Sequence, residues 1–276
     1  MQIISSFSGG KTSAYMTIKL KEENPDLLVL FANTGQEREE TLKFIDLIDK
    51  KYNLNVVWLE SVVHHKHRQA TSHVIRSYET ACRNGDLFEN MILKYGIPNM
   101  AYPHCTRELK LQPIKSYLKA NDIRNYAMAV GIRSDESRRV SKSALRDKLI
   151  YPLVDADIDK EDIDIFFEDH DIKLNLSGYQ GNCSWCWKKS FKKLYALAAE
   201  TPKIFEIPDF MESKYGLCGS NKTGEKRVFF RGNTDTKALL RMAKEYSVNR
   251  HNSGIDNHTL SDDGGCSESC EAYTTN

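Results

Sequence analysis

No basic segment leading into an apolar run and a small-residue cleavage site stands at the start of this sequence, and no apolar run approaches the length of a membrane span. Secretory and membrane-spanning readings are set aside, and a cytoplasmic location is expected. Excess charge is missing too: 39 basic residues against 38 acidic ones leave a net charge of +1. That balance gives the whole molecule no electrostatic reason to bind nucleic acid. Only local basic stretches, Arg138 to Lys148 and Lys188 to Lys193, could meet a nucleic acid or a tethered acceptor. Internal repeats and low-complexity blocks are also absent. What remains is a globular chain of 276 residues, 40% hydrophobic, able to bury one large domain plus a smaller appendage.

Two phosphate-binding motifs are absent from the stretch around which the chain is organised, Ile3 to Met16. A Walker A loop would need glycine at Ser5, and a dinucleotide fingerprint needs spaced glycines, whereas Gly9 and Gly10 are adjacent with no third to follow. What is there is an apolar run, a Ser/Gly loop and a helix start. Adjacent glycines let backbone N–H groups turn toward one spot, and a helix N-terminus adds partial positive charge. Ser8, Lys11, Thr12 and Ser13 add donors, so the loop is a candidate phosphate cradle.

The chain then alternates. Ile3 to Phe7 reads as a strand, Thr12 to Glu23 as a helix ended near Asn24-Pro25, and Leu27 to Ala32 as a strand buried on both faces. Asn33-Thr34-Gly35-Gln36 is a turn, Glu37 to Lys51 a helix and Asn55 to Leu59 a third strand. His64, His65 and His67 read as solvated and are left out of the site. Cys82 to Lys94 is a helix, as is the segment from Pro103-His104-Cys105 to Lys119. Asn125 to Gly131 is a strand that empties into Ile132-Arg133-Ser134-Asp135-Glu136-Ser137-Arg138-Arg139. Alternation of this kind predicts an α/β fold with a doubly wound parallel sheet.

Five stretches carry a family resemblance. They are Ser8 to Ser13, Phe31 to Gly35 with Glu37, Cys105-Thr106 with Leu109, Lys110 and Pro113, Gly131-Ile132-Arg133 with Glu136 and Ser137, and Tyr151-Pro152-Leu153 before an acidic helix containing Ile163 to Phe167. Together they resemble the PP-loop ATP pyrophosphatases and the phosphoadenosine phosphosulfate (PAPS) reductases, over roughly residues 1–190. The resemblance implies an adenine nucleotide alpha-hydrolase-like, Rossmann-like fold. It implies an adenine nucleotide held by Ser8, Gly9, Gly10, Lys11, Thr12, Ser13, Thr34, Gly35, Gly131, Ile132, Arg133, Glu136 and Ser137. Lys11, Arg133 and Arg139 would act on the leaving phosphates, with ATP and Mg²⁺ as cofactors.

Seven cysteines is an odd count that favours metal, cluster or redox chemistry over a disulfide framework. Cys183-Ser184-Trp185-Cys186 has the spacing of a shared metal site or a redox dithiol. By resemblance to iron-sulfur adenylyl-sulfate reductases, Cys105, Cys183 and Cys186 would hold a [4Fe-4S] cluster, with Cys218 as fourth ligand or with no fourth protein ligand and one iron left open, and with Zn²⁺ the alternative. The expected organisation is a nucleotide-binding domain over 1–200, a helical appendage over 201–248 and a flexible tail over 249–276 carrying Cys266 and Cys270. Three activities compete: adenylation of an unknown acceptor followed by sulfur transfer, reduction of PAPS or adenylyl sulfate by a tail thiol, and nucleotide binding without turnover. A sulfur or electron donor protein is an expected partner of the first two.

Overall fold

The structure is a computed structural model that describes residues 1–181, 183–219 and 224–253. The tail cysteines Cys266 and Cys270 lie outside the described residues. Six strands form one sheet: β1 (Gln2–Ser6), β2 (Leu28–Ala32), β3 (Val57–Val62), β4 (Ser72–Arg76), β5 (Tyr126–Val130) and β6 (Leu149–Ile150), in the order β4-β3-β2-β1-β5-β6. All pairs are parallel except β3 with β4. From β1 the chain winds outward through β2 and β3, then returns to lay β5 on the other side of β1. The order therefore reverses between β1 and β5, and at such a reversal a crevice opens beyond the strands' carboxyl ends.

The helices are α1 (Lys11–Glu23), α2 (Glu39–Tyr52), α3 (Asp86–Tyr95), α4 (Gln112–Ala120), α5 (Ala144–Asp147), α6 (Pro152–Asp155), α7 (Lys160–Asp169), α8 (Phe191–Glu200), α9 (Glu206–Tyr215) and α10 (Thr236–Ser253). Val29, Leu30 and Phe31 are consecutive and all buried, which needs helices on both faces of the sheet. On one face Met16 and Ile18 of α1, Phe44, Ile45 and Ile48 of α2 and Phe167 of α7 pack together with Phe7 and Val29. On the other, Ile114 and Leu118 of α4 cover Ile4, Leu30, Leu59 and Met128. Each side chain buried this way contributes about 1.5–3 kcal/mol. Asp159 starts α7 by accepting from Glu161 N and Asp162 N at 2.7 and 3.2 Å, while Tyr15 and Phe166 meet edge-on at 5.1 Å and seat α7 on α1.

A third cluster joins Phe88, Met91 and Ile92 of α3 to Leu109, Trp185 and Leu197, and to Phe205, Met211, Phe229 and Leu239 beyond residue 201. Several elements differ from the sequence reading: the parallel strand β6 is absent from it, and the helix expected from Cys82 begins only at Asp86. Strand β4 was not anticipated; it is antiparallel, and His73 within it contacts Ser116 at 2.8 Å. The segment after Cys105 is a π-helix, Thr106–Leu111, before α4 begins. Pro113 has no N–H to offer Leu109 C=O, and Gln112 N donates instead to Arg107 O, five residues back. Among the described residues no helix is long and apolar enough to cross a membrane.

Candidate functional site

The loop after β1 is built by its own hydroxyls. Ser13 Oγ donates to Gly10 O at 3.0 Å and accepts from Ser8 N at 3.2 Å and Ser8 Oγ at 2.9 Å. Ser13 is only 1% exposed, so it shapes the loop rather than facing the crevice. Gly9 has φ +83°, and a Cβ there would lie 2.7 Å from Thr41 Cγ2 and 2.8 Å from Ile45 Cδ1. Gly10, the extended N-cap of α1, is different: a Cβ there meets nothing within 4 Å. The space above Gly10 is where a ligand can approach the first N–H groups of α1. Gly131 closes the other side, since its Cβ would lie 3.0 Å from Ser13 Cα. Loop and β5 edge thus meet at the reversal of strand order.

The charged groups along this edge are already paired. Lys11 Nζ donates to Asp164 Oδ1 at 3.1 Å. Arg133, 6% exposed, grips Asp135 with Nε and Nη2 at 2.8 and 2.9 Å, and Glu136 takes both Arg133, at 3.5 Å, and Arg139. Burial works against the charge of Arg133, but Asp135 and Glu136 outweigh it and hold its pKa above the ordinary value. The same contact holds Asp135 below the usual carboxylate range. Arg139 Nε is buried without a hydrogen-bond partner among the described residues, as are Nε and Nη2 of Arg38 at the start of α2. Ile132 is fully buried and Ser137 exposed.

The Thr34-Gly35 turn links this edge to the cysteines. Glu37 accepts from Thr34 N at 3.0 Å and Thr34 Oγ1 at 2.8 Å, and Thr34 Oγ1 lies 3.1 Å from Cys183 Sγ. Gln36 docks the cysteine loop: its carbonyl accepts from Ser184 N at 2.8 Å and its side chain from Trp185 Nε1 at 2.6 Å. Cys105, Cys183 and Cys186 line one small cavity with Thr34, Lys110 and Trp187. Burial holds His104, next to Cys105, down to about 4, helped by Arg107 and Arg227, so this imidazole is neutral at neutral pH.

Cys218 is not among the residues lining the cavity; its carbonyl faces Gly96, where a Cβ would be 2.7 Å away. The cavity measures about 10 Å³, room for roughly one water, and no three His, Cys, Asp or Glu side chains among the described residues are arranged to hold a metal ion. The three thiols line one cavity without forming a metal-holding group in this arrangement. The stretch Lys188 to Lys193 is no uniform basic face either. Lys189 and Lys193 are buried, and Lys189 Nζ donates to Cys183 O at 2.8 Å. Sequence reasoning missed Gln36 and Asp164 because their partners, Trp185 and Lys11, lie 149 and 153 residues away, and it missed Lys189 because a lysine on a turn just before α8 carries no local sign that it folds back on Cys183 O six residues earlier.

Comparison with known proteins agrees with this geometry. Similarity runs along nearly the whole chain to the uncharacterized nin region protein ORF290 of Escherichia phage lambda, 26% identical over 278 aligned positions that cover 98% of this chain and 94% of that protein. Two uncharacterized proteins of Methanocaldococcus jannaschii, MJ0973 and MJ0066, are 31% identical over 185 residues and 29% over 136, and this chain spans only 35% and 23% of their lengths. The phosphoadenosine phosphosulfate reductase domain model matches residues 2–176, from β1 through the Thr34 turn and the Arg133 edge to just past α7. That span contains every residue of the loop and the Arg133 edge described above, and the chain belongs to the phosphoadenosine phosphosulfate reductase domain family.

Proposed function

We propose that this chain is an ATP-using enzyme that adenylates an acceptor, releases pyrophosphate and serves sulfur transfer. The observation that carries the reading is the intact loop: Gly9 in its left-handed conformation, open space above Gly10 and Lys11 at the head of α1, with Thr34 after the neighbouring strand β2 lining the three-thiol cavity. An acceptor oxygen attacks the α-phosphorus, the bond to the oxygen bridging the β-phosphate breaks, and pyrophosphate leaves. A sulfur nucleophile of the sulfide or persulfide class then attacks the activated acceptor and displaces AMP. Lys11 receives charge that builds on the departing phosphates, while Arg133 and Arg139 supply positive potential beneath the edge. Magnesium would ride on the phosphates; the loop offers it the hydroxyls of Ser8 and Thr12 and no carboxylate.

Cys105, Cys183 and Cys186 are the thiols placed to supply or relay sulfur. A cluster or zinc at this place would require the cavity to widen. Iron, sulfide and zinc analysis of anaerobically purified protein tests it: a cluster gives about four irons per chain.

The family description favours one second reading, reduction of a sulfonucleotide to sulfite. Product analysis separates the two. With ATP and the right acceptor, AMP and pyrophosphate are expected; sulfite from PAPS or adenylyl sulfate with a thiol donor, and no turnover of ATP, would overturn the adenylation reading. ATP binding with neither product would reduce the chain to a nucleotide-binding protein.

A further inference from the structure

Lys11 is held by a carboxylate that does not depend on it. Asp164 sits on α7, and α7 is fixed independently: Asp159 caps it, Phe167 is 1% exposed in the core, and Phe166 meets Tyr15 edge-on. Packing therefore presents the Asp164 carboxylate at 3.1 Å from Lys11 Nζ, with the two side chains 34% and 39% exposed for lysine and aspartate. Asp164 lines an open cavity of about 470 Å³ together with Asp135 and Glu168. Asp135 holds Arg133 in the same way. The groups that would meet phosphate oxygens thus begin each encounter in contact with protein carboxylates.

We propose that Asp164 is an internal competitor for Lys11 and thereby sets how tightly the site holds phosphate chains. The proposal rests on the reading of Ser8 to Ser13 as the phosphate loop. A ligand whose phosphates reach Lys11 must displace the carboxylate, and every such ligand is weakened by the same factor. ATP has further contacts and still binds. Pyrophosphate, cut off from the nucleoside, loses those contacts, and Asp164 returns to Lys11 as it leaves. The ion pair is a release device for the leaving group, and it excludes small anions that offer Lys11 too little in exchange. AMP, with no β- or γ-phosphate, does not engage it.

Calorimetric titration of the full chain with ATP, pyrophosphate and AMP tests this at fixed ionic strength, in the wild type, Asp164→Asn and Glu168→Gln. Glu168 lines the same cavity and its replacement removes an equal charge, so it reports the general field alone. Asp164→Asn is expected to tighten ATP and pyrophosphate by a common factor of about three to ten, the scale of a partly exposed ion pair plus relieved repulsion, and to leave AMP unchanged. Glu168→Gln is expected to change each by less than about twofold. Acylation of Lys11, read by mass spectrometry, should be faster in Asp164→Asn and slowed by ATP. Asp164→Ala carries the same expectations should the first variant fold poorly. Unchanged or weaker ATP binding in the Asp164 variants, or equal tightening in Glu168→Gln, would overturn the proposal while leaving the phosphate loop in place. A wild type that binds neither ATP nor pyrophosphate would overturn the phosphate loop itself, and the competitor role with it.

Discussion

Gly9 and Gly10 are the same residue type in opposite surroundings. At Gly9 both the φ of +83° and the 2.7 Å approach to Thr41 exclude a side chain, so Gly9→Ala should destabilise the fold by about 1–3 kcal/mol. At Gly10 the backbone is extended and the space is empty, so Gly10→Val should fold with a loss under about 1 kcal/mol yet abolish ATP binding. Thermal melting paired with ATP titration reads both, and a Gly10→Val protein that binds ATP normally would remove the ligand from that space. Asp135 makes a pH prediction at the same scale. Its folded pKa is depressed by Arg133, so the stability it contributes is present above its ordinary value of 3.8 and is lost as pH falls through the folded value. Denaturation midpoints followed downward from pH 3.8 should fall less steeply in Asp135→Asn than in the wild type.

The elements matter through what they carry to one place. The β2–α2 connection bears Thr34 in the cavity lining and Gln36 under the cysteine loop, and the π-helix Thr106–Leu111 brings Thr106 and Lys110 to the cavity beside Cys105. Replacing Gln36 by Leu removes the acceptor for Trp185 Nε1, a buried donor, and should cost about 1–3 kcal/mol. Because the Gln36 side chain contacts neither the phosphate loop nor the Arg133 edge, ATP affinity should be retained while alkylation of Cys183 and Cys186 accelerates. Loss of ATP binding without faster alkylation would mean that the turn, not the cysteine loop, depends on Gln36.

On the scale of the molecule, the chain beyond residue 201 is bound to the family-matched part by a shared core. Phe205, Met211, Phe229 and Leu239 pack in one cluster with Phe88, Met91, Leu109 and Trp185. Truncation after Glu200 strips that cluster of one wall, and each large residue uncovered forfeits about 1.5–3 kcal/mol. A 1–200 fragment is therefore expected to be insoluble or to melt without cooperativity, as read by sedimentation and calorimetry. Truncation after Ser253 leaves the whole cluster in place and should leave melting and ATP binding as in the full chain.

Local pattern alone determined the parallel core strands, the helices between them, the Ser8 to Ser13 loop and the family, because apolar runs, periodicity and a Gly-Gly turn are properties of neighbouring residues. The antiparallel β4 escaped it, since Ser72 to Arg76 is half-exposed and mostly polar, and an edge strand needs no apolar signature. Local pattern also brought Cys105 and the Cys183–Cys186 pair into one hypothesis, on spacing and resemblance. Only the tertiary structure decided that Cys218 stands outside their cavity, that Lys189 faces inward to Cys183, and that Lys11 meets Asp164. Lys11 and Asp164 stand 153 positions apart and are joined by how α7 packs on α1, while the places of Lys189 and Cys218 are set by the separate cluster around Trp185. A side chain's partner is fixed by packing, and packing is decided by the whole chain at once.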